Sequence, residues 1–258
     1  MTSTDAQAGR RSVGSVARAV ALLEALAASE SGLGVNELAR RIGVNASTAS
    51  RLLATLQEGG LVAREPGGPY RLGLRLVTLA DRVLAQQDVR ALARPLLLRL
   101  AAETGETATL SLPGDDAAIT VDFVPSASSV VSMARVGRPS IPHATATGKV
   151  MLAFAQGAQG APAATEPLPA FTERTITDPD RLAAELADVR RGGWAEAFGE
   201  REPDLAALAA PVCGRDGELV AILGLQGPAG RLPAETRAAL SEPLVAAAAE
   251  LGVALGGG

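Results

Sequence analysis

No stretch of this 258-residue chain leaves fewer structural options than residues 37–56, "ELARRIGVNASTASRLLATL". Two short helices meeting across a tight turn need a small side chain where they cross and a glycine where the backbone reverses. Ala39 and Gly43 stand at those two places, and Leu38, Ile42, Val44, Ala49 and Leu52 fall on the inward side. On the second helix Ala49, Leu52, Leu53 and Leu56 share one face. Ser47 and Arg51 lie opposite, flanked by Thr48, Ser50 and Thr55, so hydroxyls and a guanidinium project where phosphates and base edges of a duplex would lie. The pattern is that of a helix-turn-helix with Ser47, Thr48, Ser50, Arg51 and Thr55 as DNA-contacting candidates.

The flanks extend the pattern. "SVARAVALLEALA" puts Val16, Val20, Leu23 and Ala27 at helical spacing behind Ser15 as N-cap, and Asn36 is placed to cap "ELARRIG". The third helix is expected from about residue 45 to 57. After Gly59-Gly60, "LVARE" and "YRLG" around "PGGP" read as a two-stranded wing. Residues 1–75 carry nine arginines against six acids, a balance of +3. Residues 76–258 carry 15 basic against 22 acidic residues, or −7, which together make the net −4. A mildly basic head on an acidic body fits a nucleic-acid module joined to a second domain. A disordered arm is expected over residues 1–11, the winged module over 12–73, a linker helix over 74–87 and the second domain over 88–258.

The body alternates strand and helix signals. "ETATLSL" and "AAITVDFV" flank "PGDD", and "LAALAAPVC" and "ELVAILGLQG" flank "GRDG", giving two hairpins; "SSVVSMARVG" is strand-like. "DVRALARPLLLRLAAETG" is helical with Asp88 as cap and Pro95 as a bend or limit. "TDPDRLAAELADVRRGG" has cap, N-terminal proline and terminal glycines, and the Ala/Leu segment after Pro233 closes the chain as a helix. Helices at the edges of antiparallel strands give an α+β class.

The single histidine and single lysine, His143 and Lys149, share "RPSIPHATATGKVMLAF". A Walker loop would need glycine where His143 stands, so no phosphate cradle follows. Cys213 is the sole cysteine, which excludes an internal disulfide and, with one histidine, a tetrahedral zinc site. Cys213 closes an apolar strand beside a turn and is read as an inert thiol rather than a nucleophile paired with His143. No acid–base constellation suggests catalysis, and no metal or cofactor is expected. No apolar run approaches the ~20 residues of a bilayer span, and residues 1–12 lack an apolar leader core. A cytoplasmic protein without a membrane partner is expected.

Six segments in order, "GSVARAVALLEALA", "VNELARRIGVNASTASRLLATLQEGGLV", "YRLGLRLVTLA", "VGRPSIPHATATGKVMLA", "GGWAEAFGEREPDLAALAAPV" and "VAILGLQGPAGRL", make the sequence resemble the IclR family of bacterial transcriptional regulators. The resemblance implies an N-terminal winged helix-turn-helix joined by a linker helix to a GAF-like antiparallel-sheet effector-binding domain. It implies a dimer or dimer of dimers on a near-palindromic double-stranded operator, released or recruited by a small-molecule effector. It places Thr145, Ala146, Thr147, Ala197, Leu205, Ala207, Gly224 and Gln226 at the effector cavity, with Lys149 closing or bracing its edge and His143 either structural or supporting the residues that line it.

Departures from the family pattern shape the expected effector. Members that bind small carboxylates place an acidic residue, a cysteine and two serines toward the ligand, and the matching positions here are Ala197, Ala207, Gly224 and Gln226. Fewer donors and extra space predict an effector bulkier and less acidic than a two- or three-carbon acid, such as one with a neutral carbonyl, lactone or phenol-type group; Arg135 and Lys149, as neighbouring sources of positive charge, leave a larger aromatic or alicyclic acid open as well. Asp204 stands where the family often has glycine, which leaves the local loop geometry open.

Overall fold

The computed structural model describes residues 14–64, 67–79, 89–128, 134–154 and 168–256. The expected N-terminal arm, Asp88 as a cap and most of the linker lie outside those residues; within the linker, 75–79 are helical. The chain divides into two compact units at residues 86/87.

The first unit is three helices and a two-stranded wing: α1 (Gly14–Ala27), α2 (Val35–Arg41), α3 (Ala46–Glu58), β1 (Val62–Arg64) and β2 (Tyr70–Leu72). Leu22, Leu26, Leu38, Leu53, Leu56, Val62 and Tyr70 form its core. Three sequence expectations shift. The inward face of α1 is the Ala19–Leu22–Leu23–Leu26 side, while Val16 and Val20 are 60% and 48% exposed. Ala21, Leu22, Leu23, Ala25 and Leu26 crowd that end of the helix with apolar side chains, so spacing alone could not choose between two faces. Ser15 lies inside α1, which begins at Gly14. Asn36 lies inside α2, whose N-cap is Gly34 with no side-chain hydrogen bond.

The second unit is a five-stranded antiparallel sheet in the order β4-β3-β7-β6-β5, from β3 (Thr107–Leu112), β4 (Ile119–Val124), β5 (Ala195–Phe198), β6 (Leu205–Cys213) and β7 (Leu219–Pro228). Both expected hairpins form, β3 with β4 and β6 with β7. The helices are α4 (Val89–Thr104), α5 (Ala146–Phe154), α6 (Pro179–Gly192) and α7 (Ala234–Gly256). Ala195, Ala197 and Ala209 pack against α5 and α6. The neighbouring positions on β6, which alternate to the opposite face, serve α7, while α4 packs on β3 and β4.

Pro95 sits inside α4 without ending it; the backbone runs on because the residue lost is a single donor near the helix start. Of the strand-like stretch 128–137, the described residues 134–137 form no strand and end in a turn at Gly137 (φ +81°), and only Pro139 bridges to Ile119. The helix α6 has the punctuation its sequence announces: Asp178 Oδ1 accepts from Arg181 N (2.9 Å), Pro179 opens the first turn and Gly193 closes it at φ 73°. Helix α7 is long and apolar enough to cross a bilayer by length and composition. Leu244, Ala247, Ala248 and Leu251 are buried nonetheless, and Arg237 and Glu250 pair with Glu196 and Arg99. No uninterrupted apolar run marks it in the sequence, because Arg237, Glu242 and Glu250 are spaced along an otherwise small and apolar helix.

Candidate DNA interface and effector site

Helix α3 is started by Asn45, whose Oδ1 accepts from Thr48 N at 2.8 Å. An N-cap of this kind satisfies one of the orphan donors of the first turn. Ala49, Leu53 and Leu56 are buried, which turns Ser47, Ser50, Arg51 and Thr55 outward. Thr48 is half-buried, and Thr55 folds its hydroxyl back onto Arg51 O (3.2 Å). Four of the five DNA-contacting candidates therefore share an exposed face, while Thr48 contributes through the cap. Gly43, at φ 69°, makes the turn between α2 and α3.

In the second unit a cavity of ≈ 70 Å³ opens where the N-terminus of α5 meets the sheet. Seven of the eight expected effector residues line it: Thr145, Ala146, Thr147, Ala197, Leu205, Ala207 and Gln226. Gly224 does not. It pairs with Thr109 across the β3–β7 ladder, and a Cβ there would meet Thr109 Oγ1 at 2.6 Å. The missing side chain therefore leaves no space in the cavity, because Thr109 fills it. A wider cleft of ≈ 650 Å³ beside α6 and Trp194 takes in none of the eight, although it borders β5.

The wall also contains residues the sequence reading did not single out, above all Thr120, Arg138, Glu200 and Arg201, with Arg135 joining them. Three guanidiniums converge. Arg138 pairs with Glu202 at 2.8 Å, and Arg201 reaches the same carboxylate only at 3.7 Å. Burial and the neighbouring Arg138 push the Arg201 guanidinium below its ordinary value, since the charged form has lost water without gaining a close counter-charge. Arg135 has no carboxylate partner among the described residues. At the α5 end, Thr145 Oγ1 donates to Ile141 O (2.8 Å) and accepts from Gly148 N (3.1 Å). The N–H groups of Ala146 and Thr147 have no protein acceptor among the described residues, so the positive end of α5 faces the cavity. The sequence could have flagged Arg138, which shares a short segment with Arg135. Arg201 lay 56 residues beyond Thr145, and no local signal linked them.

Lys149 lies elsewhere than expected. It is 0% exposed and does not line the cavity. Its Nζ donates to Glu185, to Glu196 O (3.0 Å) and to Glu200 Oε1 (2.8 Å), so its charge is consumed by two carboxylates. It braces the cavity indirectly, by holding Glu200. Burial pushes the Glu200 carboxyl up, opposed by Lys149 and reinforced by Glu185. Gly148 lets α5 approach the preceding loop, since a Cβ there would meet Ile141 O at 2.5 Å and Pro142 Cα at 2.6 Å. His143 is buried, its Nε2 2.8 Å from Pro169 O and its ring beside Phe171. The Cys213 thiol is pushed up by burial and by Glu218. Asp204 occupies its turn without a positive φ, and its carbonyl accepts from Ala229 N at 2.7 Å, so the loop does not require glycine.

Comparison with known proteins matches both units. Residues 15–66 match the IclR helix-turn-helix domain, and residues 81–253 match the domain described as bacterial transcriptional regulator IclR C-terminal. The chain belongs to the IclR family of bacterial transcriptional regulators. Among its relatives, the HTH-type transcriptional regulator BhcR of Paracoccus denitrificans is 31% identical over 91% of this chain and 84% of its own. The crystal structure of an IclR transcriptional regulator from Alicyclobacillus acidocaldarius superposes with a TM-score of 0.81 at 30% identity, covering 94% of this chain and 98% of that one. An IclR homologue from Microbacterium hydrocarbonoxydans, solved in complex with 4-hydroxybenzoate, has a TM-score of 0.80 at 26% identity, covering 95% and 100%. As an IclR-family member the chain is a DNA-binding transcriptional regulator, with a helix-turn-helix module ahead of an α+β effector-binding domain.

Proposed function

We propose that the effector is an organic acid held in the cavity at the N-terminus of α5, and that its binding changes how a dimer of this regulator engages its operator. One observation supports the choice of an anion. Three guanidiniums and the open end of a helix converge on a wall whose only carboxylate among the described residues, Glu200, is already held by Lys149. Of the effector types the sequence leaves open, the larger acid is favoured over a neutral ligand: Ala197 and Ala207 give up donors, but Arg138 and Arg201 supply stronger ones. A relative solved with 4-hydroxybenzoate fits an acid of this type. Thr147 and Gln226 add neutral polar groups that would orient the rest of the ligand.

On the DNA side, Ser47, Ser50, Arg51 and Thr55 are assigned to the duplex, with Arg51 as the residue best suited to a base edge. The exposed Val16 and Val20 of α1, with Leu74, Val77 and Leu79, favour self-association of the first unit, hence a near-palindromic site. The ligand acts by differential affinity for two arrangements of the dimer. DNA binding implies a cytoplasmic location. The regulator classes of its relatives favour a non-enzymatic role.

Calorimetric titration with acetate, pyruvate, glyoxylate and 4-hydroxybenzoate, beside phenol and a neutral lactone, tests the anion reading. At least one acid is expected to bind, with Arg201→Ala weakening it about tenfold or more. Binding by the neutral compounds alone, undiminished in Arg201→Ala, would overturn it.

A further inference from the structure

The cavity wall and helix α4 lie on opposite faces of the sheet, yet one strand residue joins them. In the β3–β4 hairpin Ser111 pairs with Thr120 and Leu110 pairs with Asp122, so Val121 is an extra residue on β4. Without that bulge Thr120 and Asp122, two apart, would point to the same face. With it they point to opposite faces. Ser111 lies across from Ile222, which packs against α5 and α6, and Thr120 accordingly lines the cavity. Leu110 lies across from Leu223 on the other face, and Asp122 accordingly meets α4.

Each end of this device is tied to something that matters. On the cavity side, Thr120 N donates to Arg138 O (3.3 Å) and Thr120 O accepts from Gly137 N (2.8 Å), so the segment carrying Arg135 and Arg138 hangs on the backbone of Thr120. On the other side, the buried Asp122 accepts from Arg94 Nη1 (3.0 Å) and lies 3.6 Å from Arg90 Nε, and Arg94 also donates to Phe123 O (3.0 Å). These two arginines belong to the first turns of α4, which Pro95 deprives of the donor that would have bonded Ala91 O. The start of α4 is therefore held to the sheet by Asp122 where its own ladder is weakest. Val89, its first residue, follows directly on the residues that connect the two units.

We propose that the Val121 bulge is the coupling element of this regulator: movement of the Arg135–Arg138 segment at the cavity is passed through Thr120 to Asp122, and from there to the first turns of α4 and the connection to the DNA-binding unit. Asp122, Arg90 and Arg94 are positioning residues, which touch neither effector nor DNA. The inference gives the cavity of the proposed function a route outward, but its test needs no effector.

Hydrogen–deuterium exchange on the full chain reads it. Arg138→Ala perturbs the cavity segment and does not touch α4. Exchange of the amides of residues 93, 94 and 96–98 is expected to rise roughly threefold, the effect of loosening a partly exposed charged contact. In an Asp122→Asn background, and separately in Arg94→Ala should the first variant fold poorly, adding Arg138→Ala is expected to change those amides no further. An unchanged α4 in Arg138→Ala, or the same increment with and without the Asp122–Arg94 contact, would overturn the coupling. Because no ligand is added, either result is independent of whether the cavity takes an acid.

Discussion

Replacing Lys149 with methionine removes a fully buried, paired charge from the second unit. The ammonium is 0% exposed and meets Glu185, Glu200 and the Glu196 carbonyl. Once it is gone, Glu185, about 30% exposed in its side chain, can turn to water, whereas Glu200 at 10% cannot. One stranded buried carboxylate then carries the loss, for which about 3–5 kcal/mol is typical. Proton uptake limits it. Glu200 titrates from a reference of 4.5, so taking a proton at pH 7 costs about 3 kcal/mol, and at pH 5 less than about 1. The sign follows from the raised folded-state value: the folded form binds the extra proton, so stability is favoured at low pH and falls as pH rises above 4.5. Lys149→Met should therefore cost about 3 kcal/mol at pH 7, with most of that recovered at pH 5, and Glu200→Gln in the same chain should recover most of it at pH 7. Urea unfolding followed by Trp194, the only tryptophan and a residue of the second unit, measures this at fixed protein concentration. A pH-independent deficit, or one under about 1 kcal/mol at pH 7, would refute the reasoning.

Asn45→Ala should destabilise the first unit by about 1 kcal/mol through loss of the α3 cap, measured by the fluorescence of Tyr70, the sole tyrosine, with Trp194 unaffected. Gly224→Ser should cost about 1–3 kcal/mol by overpacking against Thr109, and Thr109→Ala should relieve it; if the serine is neutral, Gly224 does face open space.

The sequence was most legible where the signal is local. Cap, proline and glycine around α6 are three independent marks within sixteen residues, and the hairpins are announced by polar turns between apolar runs. The helix-turn-helix is legible because Ala39 and Gly43 answer to steric needs that few residue types meet. The face of α1 was not, since apolar side chains run most of the way around it and only packing selects Leu22 and Leu26. The site divides the same way. Seven wall residues follow from ordered family segments, but the chemistry of the wall comes from Arg138 and Arg201, brought beside α5 by the sheet. Lys149 was misplaced because its partners, Glu185 and Glu200, lie 36 and 51 residues away, and a lone lysine near a helix start looks the same whether it faces a cavity or a buried carboxylate. The Val121 bulge has no mark in "AAITVDFV" at all; register is decided by the partner strand.

We propose that the exposed face of α3 reads an operator in a two-fold complex. Footprinting of wild type and Arg51→Ala on the DNA upstream of the gene checks this. Two half-sites about one helical turn apart, a steep weakening with salt, and a loss of at least about tenfold in Arg51→Ala are predicted. A single asymmetric half-site protected equally by both proteins would contradict the account.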